Sequence, residues 1–284
     1  MEIIRTVKHL NEVADAARAA GSTIGLVPTM GALHKGHASL VERARKENDI
    51  VIVSVFVNPT QFNNPADLST YPRTEEADCK LLENLKTDYA FIPSVEEIYP
   101  EPDTRVFDLG PVAEVMEGAM RPGHFNGVAQ IVSRLFAWSR PTRAYFGEKD
   151  FQQIAVIRRM AEIEGFNELQ IIDCPIVRED DGLALSSRNV RLTPQGRAVA
   201  PAIHRILLES RDLKSQGLSP RQVEEAVVNA IDDTDSLLRT EYYQIVDALT
   251  MQPVSRWQDA GPHGTVGCVT VYCGDVRLID NIRY

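Results

Sequence analysis

The amino-acid sequence predicts an α/β protein in which a parallel sheet domain is followed by a smaller C-terminal α+β domain. Strand-like and helix-like segments alternate through the first 176 residues without a hairpin signal, which favours a parallel sheet. The near-continuous β-branched run DIVIVSVFVNP (49–59) is typical of a strand covered on both faces. Beyond residue 176, alternating apolar and polar residues indicate strands joined by short turns.

The first domain is predicted to span residues 1–176. Apolar residues at helical spacing and short apolar runs define its elements in order. The predicted helices cover residues 10–17, 38–48, 74–86, 127–139 and 151–165, and the predicted strands cover residues 23–27, 49–59, 89–93, 143–147 and 168–177.

The second domain is predicted to span residues 177–284. A helix over 192–217 begins with Thr193 as N-cap and Pro194 at its first position, and a helix over 219–231 begins with a Ser219/Gln222 capping box. The segments YYQIVDA and TVGCVTVYCGDVRLIDNI then alternate as strands, with Gly274-Asp275 as one of the turns.

Composition and charge exclude several classes of function. The chain has 284 residues, 44% of them hydrophobic and 25% charged, and its formal net charge is −10. Such an acidic surface repels nucleic acid and anionic lipid, so we expect neither a nucleic-acid partner nor a membrane partner. A small anion can still bind if positive groups are concentrated at one site.

Residues 1–21 carry scattered charges, which does not fit a signal peptide or a membrane span, and we expect a cytoplasmic protein. The four cysteines show no CxxC spacing and no paired framework. We therefore expect reduced thiols, and no zinc site can be assembled from them.

The segment PTMGALHKGHASL (28–40) places His34 and His37 three residues apart, directly after a strand. Three interpretations are open: surface histidines at a helix start, a metal site, or a grip on phosphate. A strand, a glycine-bearing turn and a helix N-terminus form the usual anion site of an open α/β sheet. Gly31 and Gly36 remove side chains where a ligand would approach. The metal interpretation lacks a third ligand.

Four further stretches carry polar side chains near strand ends or domain boundaries. They are FVNPTQF (56–62) with Asn58 and Gln61, MRPGHFNGV (120–128) with Arg121 and His124, FGEKDFQQ (146–153) with Lys149, Asp150 and Gln153, and LALSSRN (183–189) with Ser186, Ser187 and Arg188. Taken singly, each is explained by turn or capping chemistry. Together they supply the concentrated positive site that an acidic anion-binding protein needs, which favours phosphate as the ligand of the histidines.

With these residues in hand, the HKGH sequence resembles the HxGH signature of the nucleotidylyl-transferase superfamily, which also includes class I aminoacyl-tRNA synthetases. The motifs PTMGALHKGH, FVNPTQF, YPRT, RPGHF, GEKDFQQ and LSSRN occur in an order similar to that of the pantoate–β-alanine ligase family. The resemblance runs over nearly the whole chain. It implies a Rossmann-like first domain, a smaller C-terminal domain that closes over the site, and a homodimer.

The family resemblance also implies a reaction. The carboxylate of pantoate attacks the α-phosphate of ATP, giving pantoyl adenylate and pyrophosphate, and Mg²⁺ accompanies the ATP. The amine of β-alanine then attacks the acyl carbon, giving pantothenate and AMP. No protein nucleophile is required for either step.

Site residues follow from the resemblance position by position. His37, His34, Lys149 and Arg188 are implied as catalytic. Gln61 and Gln153 are implied to bind pantoate, with Gln61 also near β-alanine. The implied ATP-binding residues are Met30, Gly31, Ala32, Leu33, His34, Lys35, Gly36, His37, Gly147, Glu148, Lys149, Asp150, Val177, Leu185, Ser186, Ser187 and Arg188. Asp78 lies in the region that holds Mg²⁺ in relatives, although Ala77 leaves this region with fewer carboxylates than some of them.

Two alternatives to this ligase remain. A nucleotidylyl transferase would release pyrophosphate but form no amide with β-alanine. A non-catalytic nucleotide-binding regulator would bind ATP without turnover. The net charge of −10 disfavours an RNA-binding role suggested by the synthetase relationship.

Overall fold

The structure is a computed structural model that describes residues 1–284. In the first part of the chain the elements are β1 (Glu2–Ile4), α1 (Val7–Ala19), β2 (Ile24–Thr29), α2 (Lys35–Glu47), β3 (Ile50–Val55), α3 (Pro65–Thr70), α4 (Glu75–Asn84), β4 (Tyr89–Phe91), α5 (Val95–Ile98), α6 (Met116–Met120), α7 (His124–Ser139), β5 (Arg143–Gly147), α8 (Phe151–Ile163) and β6 (Gln170–Cys174). In the second part they are α9 (Pro194–Val199), α10 (Ala202–Ser215), α11 (Pro220–Asp232), β7 (Leu238–Asp247), β8 (Thr265–Cys273) and β9 (Val276–Arg283).

The first six strands form one parallel sheet in the order β1-β4-β3-β2-β5-β6, which confirms the predicted α/β class. In register, Thr29 at the end of β2 lies opposite Val55 at the end of β3. Because all strands run the same way, their carboxyl ends meet at one edge of the sheet. Open α/β sheets bind their ligands at this edge.

Both faces of the parallel sheet are covered by helices, as the unbroken apolar run of β3 predicts. One core lies between the sheet and the helices α1, α7 and α8, with Phe136 among its largest fully buried side chains. The other core lies between the sheet and the helices α2 and α4, where Leu82 is fully buried. The sheet is therefore a rigid platform for the loops at its carboxyl edge.

The three-stranded sheet β7-β8-β9 is antiparallel and packs its own core against α10 and α11, which confirms the predicted α+β character of this region. The turn between β8 and β9 contains Gly274, as predicted, with a φ of 58°. A fourth apolar cluster contains residues from both parts of the chain, since Met116 and Phe151 pack with Val266 and Cys268. The C-terminal sheet thus lies directly beside α6 and the start of α8.

Several local predictions are wrong for identifiable reasons. The helix predicted over 192–217 is two helices, α9 and α10, separated around Pro201, whose ring leaves no backbone N–H for a continuous helix. Helix α2 begins at Lys35 rather than residue 38, because His34 caps it. Strand β1 is absent from the prediction, since three residues are too short to show a period. No helix of the chain is long and apolar enough to cross a membrane.

Candidate active site

A cavity of about 220 Å³ opens at the carboxyl edge of the parallel sheet. It is bounded by the ends of β2, β3 and β5, the start of α2, and the segment that follows β6. The predicted site residues that line it are Met30, His34, Gly36, His37, Gln61, Gly147, Lys149, Asp150, Gln153, Val177, Leu185, Ser186, Ser187 and Arg188. Stretches that are distant in sequence therefore meet at one place.

The two histidines cap the helix that they begin. His34 is the N-cap of α2, and its Nδ1 accepts the backbone N–H of Gly36 at 3.1 Å. His37 Nδ1 in turn accepts the backbone N–H of His34 at 3.3 Å. A neutral imidazole that accepts at Nδ1 carries its proton on Nε2. Both side chains are therefore fixed as Nε2–H donors, and both line the cavity.

Both imidazoles are neutral near pH 7. Burial, reinforced by the positive charge of Lys149, lowers the pKa of His34 to about 4. Burial lowers the pKa of His37 to about 3, with further contributions from His34 and Lys149. The ring centroids lie 4.1 Å apart, a separation that would be costly for two imidazolium ions. The pair acts as two neutral hydrogen-bond donors.

Gly36 is required by this capping arrangement. A Cβ atom at residue 36 would lie 2.8 Å from His34 Cε1 and 2.9 Å from His34 Nδ1. Any side chain there would push the His34 ring away from the backbone N–H that it accepts. The glycine of the HKGH sequence thus leaves room for the His34 ring as well as for a ligand.

Asp78 is a structural residue of the turn between β2 and α2. Its Oδ2 accepts the backbone N–H of Ala32 at 3.0 Å, and its Oδ1 accepts that of Leu33 at 2.8 Å and the Thr74 hydroxyl at 3.1 Å. The residue is 2% exposed. A carboxylate with both oxygens occupied in this way does not fit the Mg²⁺ ligand suggested for it, and no group of three His, Cys, Asp or Glu side chains in the chain could hold a metal ion.

The same turn contains residues 31–33, which are expected ATP contacts. The backbone N–H groups of Ala32 and Leu33 point to Asp78 and are not free to bind phosphate. Gly31 has a φ of 80°, and a Cβ there would lie 3.0 Å from Asp78 Oδ2. These three residues shape the turn that positions His34, and they do not line the cavity.

Lys35 and Glu148 are also expected ATP contacts that lie outside the cavity lining. Lys35 is exposed at the first position of α2. The Glu148 carboxylate pairs with Arg283 at 2.7 Å, and its carbonyl accepts the Asn281 amide at 2.7 Å. Glu148 therefore connects the C-terminal strand β9 to the loop that carries Lys149.

Gln61 is held on three sides. Its Nε2 lies 3.0 Å from Met30 Sδ, its Oε1 accepts the Asn58 amide at 3.2 Å, and its backbone carbonyl accepts His124 Nδ1–H at 2.8 Å. The other His124 nitrogen faces Arg121 at 3.2 Å, which fixes the Nδ1–H tautomer because the guanidinium can only donate. Burial lowers the pKa of His124 to about 4, and it stays neutral in this role.

Helix α7 lies unusually close to the loop that carries Gln61. A Cβ atom at Gly127 would lie 2.4 Å from the Thr60 carbonyl oxygen and 2.8 Å from Gln61 Cα. The Gly127 carbonyl accepts the Asn58 amide at 3.0 Å across this contact. Only glycine allows helix and loop to approach so closely.

The cationic side of the cavity comes from two loops. Lys149 Nζ lies 3.8 Å from Asp150, its nearest carboxylate. Arg188 pairs with Asp67 at 3.0 Å, and Ser186 Oγ accepts the Arg188 backbone N–H at 3.2 Å. The Ser187 hydroxyl lies 3.4 Å from the Tyr71 hydroxyl. These groups and the histidine pair line the same cavity, so donors surround the enclosed space.

The family model for pantoate–β-alanine ligase matches residues 2–283. The chain belongs to this family.

Relatives support the assignment over the full length of this family member. A pantothenate synthetase from Porphyromonas gingivalis is 59% identical over 289 residues, covering 100% of the chain and 99% of the relative. The crystal structure of pantothenate synthetase from Thermus thermophilus matches with a TM-score of 0.90 at 46% identity, covering 100% and 99% of the two chains.

A third relative carries ligands. The crystal structure of pantoate–β-alanine ligase from Francisella tularensis, complexed with β-γ ATP and β-alanine, matches with a TM-score of 0.83 at 36% identity. The match covers 100% of this chain and 97% of that one.

The apolar floor of the cavity is the part of the site that sequence reasoning missed. It consists of one face of α7: Val128, Ile131, Val132 and Leu135. In the sequence these residues are indistinguishable from the core positions of any amphipathic helix. Gly127, a glycine within this helical pattern, is the sequence signal that could have directed attention to this face.

Proposed function

We propose that this chain condenses pantoate with β-alanine in an ATP-dependent reaction that forms pantothenate, AMP and pyrophosphate through a pantoyl adenylate. The observation that carries the proposal is the meeting of His34 and His37, as fixed Nε2–H donors, with Lys149 and Arg188 around one cavity. Family membership and the ligands named for the Francisella tularensis relative support the choice of substrates.

Adenylate formation brings a carboxylate to a triphosphate, so negative charge on the phosphate oxygens must be stabilised in the transition state. His34 and His37 donate hydrogen bonds to the phosphates from the N-terminus of α2. Lys149 and Arg188 supply positive charge, and Ser186 and Ser187 supply hydroxyl donors. Neutral imidazoles suit this role because they need not lose or gain a proton during the step.

Gln61 and Gln153 are the proposed pantoate ligands. Neutral amides pair with the hydroxyls of pantoate without forming a salt bridge that would weaken its carboxylate as a nucleophile. Gln153 makes no side-chain hydrogen bond within the chain and lines the cavity from the first turn of α8, which leaves its amide available to a ligand. The backbone contacts of Gln61 described above would hold that residue in place before substrate binds.

The nucleotide contacts are proposed to come from Gly147, Asp150, Val177 and Leu185 together with the phosphate-binding residues. Mg²⁺ enters as part of the nucleotide substrate and neutralises phosphate charge when bound. No residue of the chain is assigned to the ion, since Asp78 is committed to the turn before α2.

We also propose the domain division 1–176 and 177–284, with closure of the second domain excluding water from the adenylate. Two of the main apolar cores lie wholly on the N-terminal side of residue 176 and one wholly on the C-terminal side, which supports this division. A homodimer remains part of the proposal by family resemblance, and a cytoplasmic location by the scattered charges of residues 1–21. Sedimentation of the purified chain tests the dimer.

The test of the reaction is incubation of the purified protein with ATP and pantoate, with and without β-alanine, while AMP, pyrophosphate and pantothenate are measured. AMP and pantothenate formed only when both substrates are present support the ligase. Net pyrophosphate release without amide formation would instead identify a nucleotidylyl transferase. ATP binding without turnover under all conditions would identify a regulator.

A further inference from the structure

A second cavity of about 440 Å³ adjoins the first and lies between the parallel sheet domain and the C-terminal sheet. The two cavities share Lys149, Asp150, Gln153, Ser186 and Arg188 in their walls. A molecule in the second cavity can therefore approach the proposed adenylate without passing the nucleotide. Among the residues that line only this second space, His124 and Arg121 also contact the Gln61 carbonyl described above.

Five cationic side chains line the second cavity, and most of them are committed to carboxylates. Arg277 forms two hydrogen bonds to Glu117, at 2.8 and 2.7 Å. Arg188 and Arg191 share Asp67, at 3.0 and 3.3 Å. Lys149 is already proposed to bind phosphate, so Arg121 is the remaining cation of this wall.

Arg121 lacks a strong carboxylate partner. Its nearest is Glu117, whose Oε2 lies 3.6 Å from Nη1. Glu117 is already satisfied, since it accepts hydrogen bonds from Tyr242 at 2.7 Å and Thr270 at 3.0 Å in addition to Arg277. Burial alone would raise the pKa of the Glu117 carboxyl group. These contacts, chiefly those with Arg277, instead lower that pKa to about 2.

The remaining contacts of Arg121 use little of its donor capacity. One is with His124 Nε2 at 3.2 Å and the other with the Gln61 carbonyl at 3.5 Å. A guanidinium has five N–H donors and pairs best with a carboxylate that accepts two of them side by side. The side chain of Arg121 is 23% exposed, so it is largely desolvated yet reachable from the cavity. Such a group is ready to bind an incoming carboxylate.

We propose that Arg121 binds the carboxylate of the amine substrate and thereby selects β-alanine over amines that lack an acidic group. This inference rests on the proposed function. The Gln61 backbone lies beside Arg121, and the Gln61 side chain lines the first cavity, where pantoate is proposed to bind. Two methylene groups separate the carboxylate of β-alanine from its nitrogen, so a carboxylate at Arg121 directs the nitrogen towards the acyl group.

The step at the acyl carbon then follows from this orientation. The deprotonated amine forms the C–N bond, the C–O bond to the phosphate breaks, and AMP leaves with the electron pair. The extra proton on nitrogen passes to solvent. Among the substrate groups Arg121 contacts only the carboxylate of β-alanine, so it touches no atom that reacts when the adenylate forms.

The test separates the two half-reactions in the Arg121→Met and Arg121→Lys variants. Adenylate formation is measured as pantoate-dependent exchange of labelled pyrophosphate into ATP. Amide formation is measured with β-alanine and with β-alaninamide, in which a neutral amide replaces the carboxylate. In Arg121→Met we expect kcat/KM for β-alanine to fall by roughly 30-fold or more, since removal of one partner of a buried charge pair has effects of this size. Exchange and the reaction with β-alaninamide should change by less than about threefold, because neither depends on the carboxylate of β-alanine.

Arg121→Lys should recover part of the preference for β-alanine over β-alaninamide. The lysine restores the positive charge but not the planar guanidinium that donates two hydrogen bonds side by side. Arg191→Gln removes a charge from the same wall and should leave the preference unchanged. An equal loss with β-alanine and β-alaninamide, or an equal loss of exchange in both Arg121 variants, would overturn the inference and give Arg121 a structural role through His124. Failure of the wild-type protein to show pantoate-dependent exchange would instead contradict the proposed function itself.

Discussion

His37 Nδ1 accepts the backbone N–H of His34, and His34 Nδ1 accepts that of Gly36, so backbone groups at the start of α2 fix both ring orientations. The HKGH sequence, which suggests phosphate binding, also forms the N-cap of α2. Substitutions in this motif therefore have two separable effects, one on the stability of the helix start and one on the Nε2–H donors of the two histidines that line the cavity.

His37→Asn separates these effects. The asparagine oxygen can replace Nδ1 as the acceptor of the His34 N–H, but the variant has no donor at the Nε2 position. We expect pantoate-dependent pyrophosphate exchange to fall by roughly 10²–10³-fold, as for loss of an oxyanion donor. The unfolding free energy should stay within about 0.5 kcal/mol of wild type, whereas His37→Ala should lose about 1 kcal/mol more. Near-normal exchange in His37→Asn would exclude the proposed phosphate role.

The buried neutral histidines predict a loss of stability in mild acid. The pKa values of His37 and His124, at about 3 and about 4, are lower in the folded chain than the ordinary value near 6.5. Between the folded-state pKa values and about pH 6.5, the unfolded chain therefore binds more protons than the folded chain. The unfolding free energy rises with pH across this window. We expect the unfolding free energy from urea titrations to fall by about 1 kcal/mol per histidine between about pH 7.5 and about pH 5.5.

Replacement of His124 by Gln should reduce that pH dependence, because one of the titrating groups is gone. His263→Gln, at an exposed position, is the matched control and should retain the wild-type slope. A flat stability profile of the wild-type protein across the same pH range would contradict the assignment of neutral buried imidazoles.

Gln61→Ala should weaken pantoate binding more than ATP binding. The side chain reaches the cavity beside Met30, and loss of a hydrogen bond to a substrate hydroxyl costs about 1 kcal/mol. Calorimetric titrations should therefore show a pantoate Kd raised about fivefold or more, with the ATP Kd changed less than about twofold. Gln170→Ala, on the exposed edge strand β6, is the control. Equal losses for both ligands would argue that Gln61 acts only through the fold.

Asp78→Asn tests the structural role of that carboxylate against a metal role. Its amide group would face one of the two backbone N–H groups that the carboxylate accepts, so we expect a loss of about 2 kcal/mol in unfolding free energy. The Mg²⁺ concentration that gives half-maximal activity should be unchanged. An increase of about tenfold would restore Asp78 as a candidate metal ligand. Glu76→Gln, exposed on the same helix, should alter neither quantity.

Much of the fold could be predicted from sequence because the strongest strands and helices are also among the longest. Strand β3 and helices α7 and α8 carry unambiguous apolar patterns, and the order of elements leaves few alternatives to a parallel sheet. The split at Pro201 escapes prediction because helical periodicity continues on both sides of the proline. Strand β1 owes its existence to pairing with β4, which a local pattern does not encode.

The sequence identifies some residues of the candidate site but not the roles of others. Polar motifs at strand ends identify the histidines and Lys149, because such residues have few other reasons to follow buried strands. The LALSSRN motif near the domain boundary identifies Arg188. The role of Asp78 depends on hydrogen bonds to a turn 45 and 46 positions away in the sequence. The weak pairing of Arg121 likewise depends on Glu117 being held by the distant Arg277. Contacts of this kind become visible only in three dimensions.

The close approach at Gly127 has a consequence for how the acid specificity of this enzyme family member could change. With no room for a side chain at that position, the wall that holds Gln61 has a fixed depth set by two main chains. Gln153 has no such constraint, since its amide makes no hydrogen bond within the chain. Laboratory evolution towards bulkier acids should therefore accumulate its changes around Gln153 and leave residue 127 untouched.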